Sequence, residues 1–163
     1  MSEELAPRHQ PIEGNREYET ALDAVIAGAE HELRVFDQTL SSGFNSPQRH
    51  DALLAFLSAS RRNRLRIVVH EAGHLDRNCP RLLKLLRTFS HSIEIHETQP
   101  QAKSVYDPFT VADESNFVRR FHFDGMRGLF AQHDPIGAHT LIERFEEIWE
   151  ASHPAVTPTV LGL

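Results

Sequence analysis

The segment Leu65-Arg66-Ile67-Val68-Val69 decides the fold. It is rich in β-branched residues and nearly continuous in apolar character, which is typical of a central strand buried on both faces. A helix is predicted on each side of it. Ser46-Pro47 supplies an N-cap and a first-turn proline for the helix before the strand, and Pro80 begins the helix after it. A buried strand between two helices indicates a sheet with helical crossovers.

The same alternation extends along the first 95 residues. Asn15 can cap a first helix, residues 33–36 favour a short strand, and residues 93–95 alternate as a strand should. Alternating helices and strands favour right-handed crossovers between parallel strands. The expected fold class is therefore α/β, with a single-domain, mixed and mostly parallel sheet flanked by helices.

After residue 100 the predicted strands follow one another closely, which favours antiparallel additions to the sheet. Asp134-Pro135 then opens a final helix that carries Trp149 on its core face. The predicted late strands lie near 105–112, 117–123 and 128–132, with Gly125 and Gly128 at the turn between the last two.

The chain of 163 residues is predicted to form one domain between two loose ends. Residues 1–14 contain two prolines and no periodicity, so they are expected to be a flexible N-terminal segment. Residues 15–152 form the expected domain, and residues 153–163, again with two prolines, form an expected C-terminal tail.

Composition points to a cytoplasmic protein. Cys79 is the single cysteine, so an intrachain disulfide is not possible, which agrees with a reducing compartment. The first four residues are polar and acidic, unlike a secretory signal, and no apolar run has the length of a membrane span. The formal net charge of −6 makes general nucleic-acid binding an unfavoured function. No cofactor is expected.

The segment His70-Glu71-Ala72-Gly73-His74 matches the zinc-peptidase pattern H-E-x-x-H. That chemistry needs both histidines on one helical face, with the glutamate as the general base. Here a strand is predicted before the motif and a polar loop after it, so the loop interpretation is preferred. A zinc metallopeptidase that uses His70 and His74 as ligands remains an alternative.

The stretch from Gln101 to Asn116, QAKSVYDPFTVADESN, resembles a degraded phospholipase D signature. In that family a His-x-Lys strand leads to an aspartate five residues after the lysine, and the next strand carries Gly-Ser-x-Asn. Lys103 matches the lysine and Ser115 the serine. Gln101 stands in place of the histidine, and Asp107 lies one residue before the aspartate position, where Pro108 is found. On the second element, Glu114 replaces the glycine and Asn116 lies one residue short of the asparagine.

The order of elements and the closing helix, with its Phe145-x-x-x-Trp149 ending, strengthen the resemblance, which covers about residues 15–152. It implies a phospholipase-D-like half in which a histidine would attack phosphorus while lysine and asparagine hold the phosphoryl oxygens. Because a glutamine amide cannot serve as that nucleophile, a non-catalytic module is expected. The ligand would be a phosphate-bearing molecule or a protein partner. The candidate anion site comprises Gln101, Lys103, Asp107, Ser115, Asn116, Arg119 and Arg120.

Two further expectations accompany this one. Arg119 and Arg120 alternate on a strand, so at most one of them faces a given site. A phosphodiesterase or nuclease with a relocated nucleophile, for which His96 is the candidate, is the enzymatic alternative. Because single-motif members of the superfamily pair two halves, the resemblance also implies a homodimer.

Overall fold

The computed structural model describes residues 5–40, 42–105, 107–121 and 127–156. Within them the chain forms eight strands and five α-helices. In chain order these are β1 (Arg8–Glu13), α1 (Gly14–Ala27), β2 (Glu32–Asp37), α2 (Pro47–Ala59), β3 (Arg64–Val69), α3 (Leu75–Asn78), α4 (Pro80–Thr88), β4 (Ile93–Thr98), β5 (Phe109–Ala112), β6 (Asn116–Arg120), β7 (Arg127–Gln132), α5 (Pro135–Glu150) and β8 (Ser152–Val156). In the part of the chain described, no helix combines the length and the apolar character needed to span a bilayer.

The eight strands form one mixed sheet in the order β1-β7-β6-β5-β2-β3-β4-β8. This confirms the predicted fold class, a single-domain mixed α/β sheet flanked by helices. The parallel share is smaller than expected, because only β2-β3 and β3-β4 pair in parallel and the other five pairings are antiparallel. Short connections make the consecutive pairs β5-β6 and β6-β7 antiparallel. The strands β5, β8 and β1 also join β2, β4 and β7 in the antiparallel direction.

Helices cover both faces of the sheet. The face covered by α1, α2 and α4 buries Val35, Ile67 and Ile95 of the three parallel strands. The opposite face packs on α5, whose Leu141 and Phe145 meet buried residues of β2, β3 and β5. The continuous apolar run of 65–69 follows from this arrangement, because alternate residues of β3 enter different cores.

Capping confirms the two predicted helix starts that carry a polar residue before proline. The Ser46 hydroxyl accepts a hydrogen bond from the Arg49 amide at 3.1 Å, and Asp134 Oδ1 accepts one from the Gly137 amide at 3.0 Å. In both cases the proline occupies the first turn, where its missing N–H costs nothing. The first helix differs, because it begins at Gly14 and the Asn15 side chain binds Arg120 instead of capping.

The structure differs from the sequence-based expectation at both ends of the chain. Residues 8–13, expected to be flexible, form β1 along β7, and residues 152–156, expected to begin a loose tail, form β8 along β4. Both are edge strands, which need a partner on one side only and tolerate proline. Ile12 is the single buried residue of β1, so its pattern lacks the alternation that identifies a strand.

The turn predicted between the last two late strands lies partly outside the described residues, since Gly125 is not among them. Gly128 lies inside β7, one residue after its start, and not in the turn. A Cβ on Gly128 would stand 2.4 Å from the Arg119 carbonyl oxygen, so this residue allows β7 to approach β6 closely.

Candidate functional site

The candidate site lies where β2, β3 and β4 end and β5 begins. Because β5 runs antiparallel to β2, with Phe109 opposite Phe36, the start of β5 shares an edge with the carboxyl ends of the parallel strands. β6 ends at the same edge, with Arg119 opposite Phe109. In open α/β sheets, ligands bind outside the carboxyl ends of the parallel strands. Five strands therefore meet at the edge where a ligand is expected.

Lys103 reaches this edge from the connection between β4 and β5. Its ammonium group donates a hydrogen bond to the carbonyl oxygen of His70, directly after β3. His70 is buried, and its Nδ1 lies 2.7 Å from the Thr98 hydroxyl while its Nε2 contacts the carbonyl oxygen of Val105. The Lys103 ammonium is therefore bound by a neutral carbonyl oxygen and not by a carboxylate at this contact. The segment that carries Lys103 is held by His70 at both ends, Thr98 and Val105.

Arg119 contributes a second cation on the α5 face of the sheet. Its Nε is buried and has no hydrogen-bond partner among the described residues. Desolvation lowers the pKa of Arg119, the positive charge of Arg144 on α5 lowers it further, and the carboxylate of Asp107 opposes both effects. The guanidinium lies 5.3 Å from the centre of the Phe121 ring. The positive charge of Arg144 thus acts on a partly desolvated Arg119, and a bound anion would offset this repulsion.

Arg120 lies on the opposite face, which confirms the predicted alternation. Its guanidinium donates to Asn15 Oδ1 at 2.8 Å and lies 4.4 Å from the centre of the Tyr18 ring. Asp37 ends β2 in the same region. Burial raises the pKa of Asp37 to about 7, while the Gln38 amide and the Arg120 charge oppose the shift. Burial, followed by the charge of Asp37, raises the pKa of Tyr18 well above its ordinary value.

Ser115 and Asn116 lie at the other end of the sheet. Asn116 begins β6, three residues before Arg119, so the two positions are about 10 Å apart along the strand. The Asn116 side chain accepts a hydrogen bond from the His133 amide at 2.9 Å, and the Ser115 carbonyl accepts one from Asp134 at 2.8 Å. The seven predicted residues therefore do not form one site.

The amino-terminal end of β2 carries a cavity of about 770 Å³, and Ser115 and Asn116 line it together with Glu30, Glu32 and Glu114. Its wall is mainly acidic. This location and charge do not suit the phosphate contacts that the sequence resemblance implied for these two residues.

Gln101 is exposed and lies in a short 3₁₀ turn (Pro100–Ala102), where its amide donates to Gln99 Oε1 at 2.8 Å. Gln101 and Lys103 therefore do not lie on a strand, as the resemblance requires. The same motif spacing also fits Tyr106, Pro108 and Asp113, and in that register β5 leads directly to the aspartate. Tyr106 lies outside the described residues.

Asp113 closes the turn after β5 with a φ of 56°. Its carboxylate accepts hydrogen bonds from three successive amides before and at the start of β2, those of Glu30 (2.9 Å), His31 (2.7 Å) and Glu32 (3.0 Å). It fastens the β5–β6 turn to β2, at the end of the sheet away from Lys103 and Arg119. Its role in this chain is structural.

The geometry around 70–74 does not suit a zinc peptidase. β3 ends at Val69, Glu71 to His74 form a loop, and the following helix α3 is a single turn. His70 is buried among Thr98 and Val105, whereas His74 is exposed and contacts Arg77 at 2.8 Å. Among the described residues no group of three or more His, Cys, Asp or Glu side chains could hold a metal ion. The predicted loop is confirmed.

His96, the candidate for a relocated nucleophile, is held by its neighbours. Its ring stacks on Trp149 with the ring centres 3.6 Å apart, and Nδ1 lies 2.8 Å from the Ser152 hydroxyl. Burial lowers the pKa of His96, partly opposed by Glu94. These contacts account for His96 as a packing residue between β4, β8 and α5.

Comparison with known families gives a match along most of the chain. The model of a domain of unknown function, DUF7931, matches residues 14–158. The chain belongs to this family. No curated protein sequence matches the DUF7931 chain.

Solved structures show which fold the DUF7931 domain has. It is similar to Nuc, a phospholipase D family member from Salmonella typhimurium, with a TM-score of 0.66 and 15% identity over 93% of this chain and 100% of Nuc. NucT from Helicobacter pylori gives a TM-score of 0.63 and 11% identity over 92% and 100% of the two chains. The DUF7931 domain therefore has a phospholipase-D-like fold.

Another similar structure is TrmBL2, an archaeal chromatin protein whose structure shows a novel mode of DNA binding. The TM-score is 0.68 at 12% identity, over 91% of this chain and 54% of TrmBL2. The DUF7931 chain thus spans about half the length of TrmBL2. At such identities the likeness concerns the fold alone.

Sequence reasoning missed two parts of the site. Arg144 lies on the final helix, far from the motif in sequence, and only the packing of α5 on the sheet lets its charge act on Arg119. His70 was considered as a metal ligand, whereas it contacts the segment that carries Lys103. The position of His70 directly after the central strand could have indicated its place in the site, because the carboxyl ends of parallel strands meet at one edge of a sheet.

Proposed function

We propose that this DUF7931 domain is a non-catalytic phospholipase-D-like module that binds a phosphate-bearing ligand at the carboxyl end of its parallel strands. One observation carries the proposal. The buried Nε of Arg119 has no hydrogen-bond partner among the described residues, and the guanidinium is partly desolvated and feels the positive charge of Arg144. Guanidinium groups form charge-assisted, often bidentate hydrogen bonds to phosphate oxygens. A phosphate would both separate the two positive charges and satisfy the Nε donor.

Lys103 supports the same interpretation. An ammonium group has three donors, and its contact with the His70 carbonyl occupies one of them. The remaining donors are available to a ligand at the edge shared with Arg119. Around Arg119, the carboxylate of Asp107 opposes two positive charges, those of Arg119 and Arg144. Lys103 adds a further cation at the same edge, at the end of β3.

The absence of catalysis is part of the proposal and rests on the histidines near the site. The carbonyl of Val105 requires a proton on Nε2 of His70, and the Thr98 hydroxyl occupies Nδ1. In either motif register the histidine position carries another residue, Gln101 or Tyr106. Both ring nitrogens of His70 are therefore occupied, so among the described residues at this edge His70 does not offer a free imidazole for a covalent step on phosphorus.

The binding test is calorimetric titration of inorganic phosphate and pyrophosphate into the wild type and three variants. Arg119→Gln should weaken binding by about 10- to 100-fold, the effect of losing one charged hydrogen-bonding partner. Lys103→Met should weaken it by about tenfold for the same reason. Arg120→Gln is the matched control, because Arg120 lies on the opposite face of the sheet from Arg119. The affinity of this variant for both anions should stay within about twofold of wild type.

Equal losses in Arg119→Gln and Arg120→Gln would contradict the placement of the site, and a wild type that binds neither anion would contradict the function. Hydrolysis is tested in parallel with bis(4-nitrophenyl) phosphate. No turnover is expected. Turnover that disappears in Lys103→Met would instead establish a phosphodiesterase at this site.

The homodimer implied by the sequence resemblance also remains a proposal. Light scattering of the purified protein measures its mass in solution. The mass of one chain is 18.6 kDa. Twice this mass would support the homodimer, and the mass of a single chain would reject it.

A further inference from the structure

We infer that His70 is the positioning residue of the proposed anion site, because it fixes the connection that carries Lys103 against the end of β3. The inference rests on the proposed function for what Lys103 does. The contacts of His70 themselves do not depend on a ligand. In this role His70 neither binds a metal nor takes part in catalysis.

His70 joins the two ends of one connection. Thr98 is the last residue of β4, and its hydroxyl lies 2.7 Å from Nδ1 of His70. Val105 lies seven residues later, and its carbonyl contacts Nε2. A carbonyl oxygen only accepts, so Nε2 carries a proton, and in the neutral ring Nδ1 accepts from the Thr98 hydroxyl. One imidazole thus closes a loop of eight residues.

The connection has its own internal turns, which the two contacts hold in place. The Ala102 amide donates to the Gln99 carbonyl at 3.0 Å, and the Val105 amide donates to the Ala102 carbonyl at 3.2 Å. Lys103 lies within these turns and reaches back to the carbonyl of His70 itself. The position of the Lys103 ammonium therefore depends on whether the segment stays closed on His70.

The surroundings of the imidazole explain why a histidine serves here. The ring is buried and meets Phe36 edge-on, with the ring centres 5.3 Å apart. A buried polar ring is tolerated only when its nitrogens are hydrogen-bonded, and both of them are. A purely apolar ring would pack in the same place and hold neither end of the segment.

Replacing His70 by glutamine or by asparagine tests its contacts with Val105 and Thr98 one at a time. In His70→Gln the terminal amide lies near the former Nε2 and can still donate to the Val105 carbonyl, whereas in His70→Asn it reaches only as far as Nδ1 and Thr98. We expect amide hydrogen exchange at Ala102, Lys103 and Val105 to accelerate about tenfold in His70→Asn, the factor that one net hydrogen bond supplies. In His70→Gln it should stay within about threefold of wild type. Thermal unfolding of both variants shows whether either loses the fold.

The same variants are titrated with pyrophosphate. Affinity should fall about fivefold or more in His70→Asn and recover in His70→Gln, because the latter keeps Lys103 in place. A role in packing alone would lower the stability of both variants without this recovery. Unchanged exchange at 102–105 in His70→Asn would overturn the inference even if phosphate binds. If exchange responds as expected but wild type binds no pyrophosphate, the positioning contact stands and the proposed function fails.

Discussion

Replacing Asp113 should reveal how the β5–β6 turn is fastened to β2. Three amides, from Glu30 to Glu32, donate to its carboxylate at 2.7 to 3.0 Å. At about 1 kcal/mol each for partly exposed hydrogen bonds, these contribute about 3 kcal/mol. Alanine at a φ of 56° would cost about 1 kcal/mol more, because Asp, Asn and Gly adopt a left-handed backbone more readily than alanine does. Asp113→Ala should therefore lower the free energy of unfolding by about 4 kcal/mol.

Two further variants separate the contribution of the hydrogen bonds from that of the left-handed backbone. Asp113→Gly loses the three hydrogen bonds but has no left-handed strain, so it should cost about 3 kcal/mol. Asp113→Asn keeps one oxygen for His31 and Glu32, which both donate to Oδ1, and it should cost about 1 to 2 kcal/mol.

The assay is urea unfolding followed by circular dichroism, with the denaturant slope compared among the variants. The expected order of destabilisation is alanine, glycine and then asparagine. An alanine variant within 1 kcal/mol of wild type, or an asparagine variant as unstable as alanine, would refute the reasoning.

Two further predictions concern other parts of the fold. Because the pKa of Asp37 is raised to about 7, the ionised form destabilises the folded state, and stability should fall as pH rises from about 4 through 7. In urea unfolding, the stability of Asp37→Asn relative to wild type should rise by on the order of 2 kcal/mol between pH 5 and pH 8. A stability difference that does not change with pH would contradict this. Trp149→Ala, which removes the stacking on His96 and the packing beside Phe145, should cost about 3 kcal/mol in thermal unfolding, whereas a loss below 1 kcal/mol would argue against that packing.

Much of the fold is predictable because local signals agree with tertiary packing. The run 65–69 is apolar except for Arg66 because its alternate residues enter both cores, and the capping residues before Pro47 and Pro135 mark helix starts that the structure confirms. The edge strands β1 and β8 are different. All residues of β1 except Ile12 are exposed and no residue of β8 is buried, so their pairing depends on β7 and β4 and leaves little trace in the local pattern.

The site is less predictable because the direction of each strand decides which residues meet. Ser115, Asn116 and Arg119 are close in sequence, but β6 carries them to opposite ends of the sheet. Arg144 and Arg119 are 25 positions apart, and the charge of one acts on the other only because α5 packs on the sheet. Motif spacing also admits a second register, in which Tyr106 and Pro108 take the histidine and lysine positions and Asp113 the aspartate position, and it becomes apparent only from the position of β5.

The central claim, that Arg119 binds a phosphate group, is tested most directly at its Nε atom. Proton–nitrogen correlation spectra of the arginine Nε–H groups can be followed while pyrophosphate is added. The account predicts a saturable shift of the Arg119 signal, a smaller one for Arg144 and none for Arg120. An unchanged Arg119 signal, or an equal response from Arg120, would contradict it.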